Sequence, residues 1–203
     1  YEKRNEFEEI CKSYKGDIYY KNLEIDFRNS FFEDKWNIWG MAGLTAITHA
    51  QKKAIEENYD FYFHLDDDDS WSKNHIEDIV NILKDYQETD FLFTRSCFKK
   101  NKKNKNLPKN YRNFTKIEYN NIKFYKESGI CHSTWVINLN TLGNKLIQLN
   151  DKMINKCFRI KNKEIKEEKL LPGDYQFLIF LEKLLKDNKL KYIYNDNLIV
   201  DIN

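Results

Sequence analysis

Phe61-Tyr62-Phe63-His64-Leu65-Asp66-Asp67-Asp68-Asp69-Ser70-Trp71 is the stretch on which the fold turns. Its first five residues are mostly aromatic and strand-forming, and they predict a buried strand. The four aspartates stand at the end of that strand, where open α/β sheets bind their ligands. Two carboxylates about 6 Å apart repel by roughly 3 kcal/mol at an effective dielectric of 20. A run of four contains several such pairs, and a divalent cation relieves them. Asp66 and Asp68 share a face if strand geometry continues through them, which suits a metal–diphosphate site. The plain alternative is a solvated acidic turn that caps the next helix, although one Ser or Asp already supplies the capping energy.

Helices are predicted on both sides. Before the strand, Leu44, Ile47, Ala50, Ala54 and Ile55 fit an amphipathic helix from Ala42 to Glu57 that stops near Asn58. After it, Ser72 reads as an N-cap, and Ile76, Ile79, Val80 and Leu83 form a helical stripe. Further strands are expected at Asp17–Tyr20, Asp90–Arg95, Ile117–Tyr125, His132–Ile137, Lys191–Tyr194 and Leu198–Ile202. Further helices are expected at Glu2–Tyr14 and Thr141–Ile160, and another opens at Pro172-Gly173-Asp174. Residues 21–38 show no clear period, and Lys161–Lys169 reads as charged surface. Strands alternating with helices predict an α/β domain with a mainly parallel sheet.

The composition supports a globular reading. The chain has 203 residues, 41% of them apolar and 15% aromatic, which excludes wholesale disorder. A formal net charge of +2 leaves no global field that demands nucleic acid or an anionic membrane. No apolar run reaches the roughly 20 residues that span a bilayer. Cys11, Cys97, Cys131 and Cys157 are far apart, without zinc-finger spacing, and read as free thiols. A cytoplasmic location, at most peripheral to the membrane through a partner, is inferred from these thiols and from the lack of a targeting signal.

The acidic run also resembles the motifs of two other chemistries. Asp66, Asp68, Ser70, Ser72, Asn74 and Glu77 occupy the ligand positions of a calcium-binding EF-hand loop, but Trp71 stands where that loop needs Gly. Asp66-x-Asp68-x-Ser70 also resembles the nucleophile motif of haloacid-dehalogenase-like phosphatases. In those enzymes the motif strand comes first, whereas here a strand and two helices precede it.

The ordered set of motifs resembles the family 2 glycosyltransferases of the GT-A fold. Tyr59 to Trp71 is similar to that family's DXD region, an apolar strand running into "LDDDD" with an aromatic before the next helix. Asn37-Ile38-Trp39-Gly40-Met41-Ala42-Gly43 loosely resembles its N-x-G-x-A segment. Gly173-Asp174-Tyr175-Gln176-Phe177 is similar to its "EDYxF" helix start, with Gly173 in place of Glu, and Leu190 to Val200 is similar to its tail. The resemblance implies metal-dependent transfer of a sugar, with inversion, from a nucleotide-diphosphate sugar to a hydroxyl acceptor of glycan, lipid-linked or protein type. It implies donor binding by Asp66, Asp67 and Asp68, with Asp66 and Asp68 holding Mn²⁺ or Mg²⁺. It further implies Asp174 as the general base, for which a helix N-cap is the plain reading. His132 and Trp135 fall at the floor of the acceptor pocket, although core packing alone accounts for Trp135. Against the family pattern, residues 1–203 read as one domain that starts after the elements holding base and ribose. A catalytically silent binding domain of the same fold is the competing expectation.

Two further features have plain readings. His64 reads as a satisfied sheet histidine rather than a ligand. The lysines from Lys99 to Lys109, with Arg112, read as a solvated loop, and the lack of interleaved aromatics argues against nucleic acid.

Overall fold

Phe91, Leu92 and Phe93 have no exposed surface, and the strand that carries them is the centre of the molecule. The computed structural model describes residues 4–13, 15–16, 18–19, 32–41, 43–98, 132–187 and 189–202. The strands are β1 (Phe61–Phe63), β2 (Ser70–Trp71), β3 (Phe91–Phe98), β4 (Trp135–Asn138) and β5 (Tyr192–Ile202), which form one sheet in the order β1-β4-β3-β5-β2. The α-helices are α1 (Arg4–Ser13), α2 (Lys35–Met41), α3 (Leu44–Glu56), α4 (His75–Asp85), α5 (Asn144–Lys161) and α6 (Gly173–Lys186).

Alternation along the strands builds a core on each face of the sheet. Phe91, Phe93, Trp135, Ile137 and Tyr192 pack with Phe177, Leu178, Leu181 and Leu185 of α6. Leu92, Val136 and Ile193, the residues between them, pack with Ile79 and Leu83 of α4. Burying each of these large side chains contributes about 1.5–3 kcal/mol. A third cluster (Met41, Leu44, Met153, Cys157, Ile160 and Leu170) joins α2, α3 and α5. The α3–α5 contact also carries a buried Asn150–Gln51 hydrogen bond of 2.9 Å.

The expected mainly parallel sheet is corrected to a mixed one. β4 is antiparallel to both β1 and β3, β2 is antiparallel to β5, and among the described strands only β3 and β5 pair in parallel. β1, β3 and β5 do point the same way, as strand–helix–strand order requires. The reversed β4 inserts between β1 and β3, and strand propensity carries no sign of direction.

Other expectations shift locally. Ile18 and Tyr19 are not in a strand; the Tyr19 hydroxyl lies 3.1 Å from His49 Nε2. The two strands expected near the C-terminus are one strand, β5. Its register against β3 jumps between Thr94↔Asn195 and Arg95↔Ile199, so residues 196–198 bulge from the ladder where a break between two strands is expected. α2 lies in a segment with no visible period, and Asp34 starts it by accepting from Trp36 N at 2.8 Å and Asn37 N at 3.1 Å. The expected strand at Ile117–Tyr125, the lysine-rich loop with Arg112, and Cys131 lie outside the described residues. Among the described residues, Cys11 and Cys157 are free thiols, and no helix is long and apolar enough to cross a membrane.

Candidate active site

β1 ends at Phe63, earlier than its composition suggests, because it is an edge strand whose three residues are only half-buried. The chain then turns, with Asp69 N donating to Asp66 O at 3.2 Å. Strand geometry therefore does not continue through the acidic run, and the expected shared face of Asp66 and Asp68 is replaced by a turn. Asp66 is half-buried while Asp67 and Asp68 are exposed. Ser70 and Trp71 beyond them belong to β2, so the segment is not an EF-hand loop.

The register of β1 against β4 fixes what faces this turn. Phe63 pairs with Val136, and continuing the ladder by three residues sets Asp66 opposite Ser133. The two are bonded: Asp66 N donates to Ser133 Oγ at 2.9 Å, and Ser133 Oγ lies 3.4 Å from Asp66 Oδ2. Residues 132–134, expected as strand, form a 3-10 turn leading into β4. Trp71 Nε1 donates to Ser133 O at 2.9 Å, and its ring stacks on His75 at 5.2 Å. The acidic turn is thus fastened from both sides.

His64, read from the sequence as a sheet histidine, stands just beyond β1 and is central to the site. Its Nε2 lies 2.8 Å from Asp66 Oδ1 and its Nδ1 lies 3.1 Å from the Tyr62 hydroxyl. With Asp66 ionised, Nε2 carries the proton and Tyr62 donates to Nδ1. The His64 hydrogen bond holds the Asp66 carboxyl below its ordinary range, against the opposing effect of burial. Burial, with the Asp66 charge beside it, raises the Tyr62 phenol and keeps it protonated.

His132 completes the group, with its ring 5.1 Å from that of His64 and 4.7 Å from that of Trp135. It keeps part of its surface in solvent, yet its ring is enclosed. That burial, reinforced by His64, pushes its pKa down to about 4, while the charges of Asp174 and Asp66 act in the opposite direction. The charge of Asp174, in the first turn of α6, is therefore felt at the same histidine as that of Asp66. Asp174 Oδ1 accepts from Tyr175 N at 2.7 Å, and the helix begins at Gly173 with Pro172 as its N-cap, so Asp174 lies inside the first turn.

The approach to α6 is held by Asn37, which is 1% exposed. Leu170 N donates to Asn37 Oδ1 at 2.7 Å, and Asn37 Nδ2 donates to Glu167 Oε1 and Glu168 O, each at 3.0 Å. Pro172 then packs on Gly40, where an added Cβ would meet Pro172 Cα at 3.3 Å. Asn37 and Gly40 thereby hold the chain that leads into α6 and Asp174.

Trp135, expected on the acceptor floor, is 4% exposed, and its ring packs against Phe91, Phe177 and His132. Its Nε1 has no hydrogen-bond partner among the described residues. The expected metal pair, Asp66 and Asp68, lies on the acidic turn. Among the described residues, the metal-ligating side chains that converge are His64, Asp66 and His132, whose donor atoms all lie within 4.8 Å of one another. Two imidazoles and a carboxylate at that spacing fit a divalent cation, and the acidic turn contributes only Asp66.

Comparison with known proteins bears on this arrangement. An uncharacterized glycosyltransferase of Acanthamoeba polyphaga mimivirus is 32% identical over 65 residues, which make up 32% of this chain and 26% of that relative. No solved structure matches the chain. The family model described as Glycosyl transferase family 2 matches residues 3–143, from α1 through β4. That span is more than half of the chain and includes the acidic turn and both histidines, so the chain belongs to glycosyl transferase family 2.

Proposed function

We propose that the protein moves a sugar from a nucleotide-diphosphate donor to a hydroxyl acceptor, with inversion, on a GT-A-type scaffold. The observation that carries this reading is the acidic turn beyond β1, fastened to Ser133 and flanked by His64 and His132, in a chain of the glycosyltransferase family. Asp66, Asp67 and Asp68 are assigned to the donor side. The exposed Asp67 and Asp68 face solvent where a donor enters, and Asp66 is anchored by Ser133 and His64. A divalent cation, Mn²⁺ or Mg²⁺, would supply Lewis-acid stabilisation of charge on the departing diphosphate.

Asp174 is assigned as the general base. Tyr175 N fixes its Oδ1, and Oδ2 is the oxygen that receives the acceptor proton. As that proton leaves, the acceptor oxygen bonds to the anomeric carbon and the bond to the diphosphate oxygen breaks on the opposite face. His132, neutral at physiological pH because burial depresses its pKa, is assigned to the acceptor side with Trp135 packed behind it. One of its ring nitrogens can hydrogen-bond a hydroxyl while the other stays available to an ion, without adding charge beside the base.

In the full-length protein, Asp174→Asn should lower turnover by about 10²–10⁴-fold while leaving binding of nucleoside diphosphates intact. Unchanged turnover would remove Asp174 from the base role. A protein that binds nucleoside diphosphates but neither hydrolyses nor transfers any donor sugar would be the silent binding domain instead.

A further inference from the structure

We infer that His64, Asp66 and His132 form a three-ligand site for a borderline divalent transition-metal ion such as Mn²⁺, selective against Mg²⁺. The ligand set is a statement about this chain's side chains; only the use of the ion on a diphosphate rests on the glycosyl-transfer reading.

The donors decide the selectivity. Imidazole nitrogens suit first-row transition ions, whereas Mg²⁺ favours an all-oxygen octahedral shell and gives up water reluctantly. A site made only of the acidic turn would offer oxygens alone and would accept Mg²⁺. Here two of the three converging donors are ring nitrogens.

The spacing is close to what an ion needs. Ligand atoms bound at about 2.1 Å lie roughly 3.0–4.2 Å apart. His64 Nε2 and Asp66 Oδ1 are at 2.8 Å, and all three donors fall within 4.8 Å, so small side-chain rotations close the set.

The surroundings are those of a built site. A metal-bound imidazole normally donates its other ring N–H to a fixed partner. The Tyr62 hydroxyl is already 3.1 Å from His64 Nδ1. When Nε2 takes the ion, the ring shifts its proton to Nδ1 and Tyr62 turns from donor to acceptor, so no proton is left over. Ser133 holds Asp66 through its backbone N–H and its second carboxylate oxygen, and is itself held by Trp71. Each donor therefore comes from a position already fixed by the β1–β4 register.

The test uses the full-length protein and the ions alone, without donor sugar. Calorimetry should give one Mn²⁺ site, with Mg²⁺ weaker by at least about tenfold. Pulsed electron paramagnetic resonance of the Mn²⁺ protein should show coupling to two imidazole nitrogens. His64→Gln and His132→Gln should each remove one coupling. Each should also weaken Mn²⁺ by more than the roughly 10–100-fold typical of losing an outer partner. Tyr62→Phe should fall within that range, and Asp68→Asn should leave ion affinity within about twofold. If His132→Gln fails to fold, the nitrogen count in the wild type and the His64→Gln variant still decide.

Absence of nitrogen coupling, equal affinity for Mg²⁺, or loss of Mn²⁺ in Asp68→Asn but not in His64→Gln would each overturn the site. A protein that binds Mn²⁺ as described but ignores nucleoside diphosphates would overturn the glycosyl-transfer reading and leave the metal site standing.

Discussion

His132 and Asp66 are both held below their ordinary pKa values inside one group of side chains, and each leaves its own mark on stability. His132 has an ordinary pKa of 6.5 and is pushed to about 4 in the fold. Between those values the unfolded chain binds more protons, so stability falls as pH drops from about 6.5 to 4. Asp66 is held below its ordinary value of 3.8. Its contribution is complete above that value and is lost as pH falls through the lower folded value. Urea unfolding across this range in chelator should show both losses. His132→Gln should flatten the upper window, and Asp66→Asn the lower one. An upper window unchanged in His132→Gln would mean that another group carries it. Asn37 gives a prediction of larger size. Asn37→Ala strands the buried Leu170 N–H and removes two further bonds, so it should cost about 2–4 kcal/mol by thermal or denaturant unfolding. A loss under about 0.5 kcal/mol would show that the 167–170 segment is held by other contacts.

At the level of elements, two glycines near α2 make contrasting predictions. Gly43, between α2 and α3, has φ +76°, and the only atom near an added Cβ is Ile47 Cδ1 at 3.9 Å. Gly43→Ala should therefore cost about 1–2 kcal/mol from backbone strain alone and leave the site in place. At Gly40 the added carbon presses on the Pro172 backbone, so Gly40→Ala should perturb turnover through α6 as well as stability. Equal effects of both variants on turnover would contradict the proposed α2–α6 contact. Helix α4 shows why such details escape a reading by period. Of its expected stripe, Ile79 and Leu83 are buried, but Ile76 and Val80 are 47% and 38% exposed, while His75 is 2% exposed. His75 stacks on Trp71 and takes a core position beside the stripe, and no periodicity of the apolar residues announces it. The ends of elements were legible: an acidic run after an apolar strand, and an Asp after Pro-Gly before an apolar helix, each carry local signals. The convergence of His64 and His132 was not, because it depends on which strand lies beside β1 and in what register.

Across the whole molecule, burial is steeply graded from the central strands to the edges. Phe91, Leu92 and Phe93 are fully buried and paired on both sides, whereas β1 and β2 are short, half-buried edge strands. Hydrogen exchange should therefore be slowest at residues 91–93 and 136–137 and faster in β1 and β2. Fastest exchange in β3 would contradict the sheet order. The acidic turn belongs to the exchanging edge, and it is steadied by Ser133, which lies 67 residues further along the chain. This separation has a consequence during synthesis. At a translation rate of about 5–20 residues per second, the ribosome releases the acidic turn roughly 3–13 s before the serine that fastens it. For that interval β1 and β3 have no β4 between them, and the aspartates are held by neither side. A nascent chain paused before β4 emerges would be a ready client for chaperones, and its acidic turn would be fastened only when β4 slides into the gap left for it.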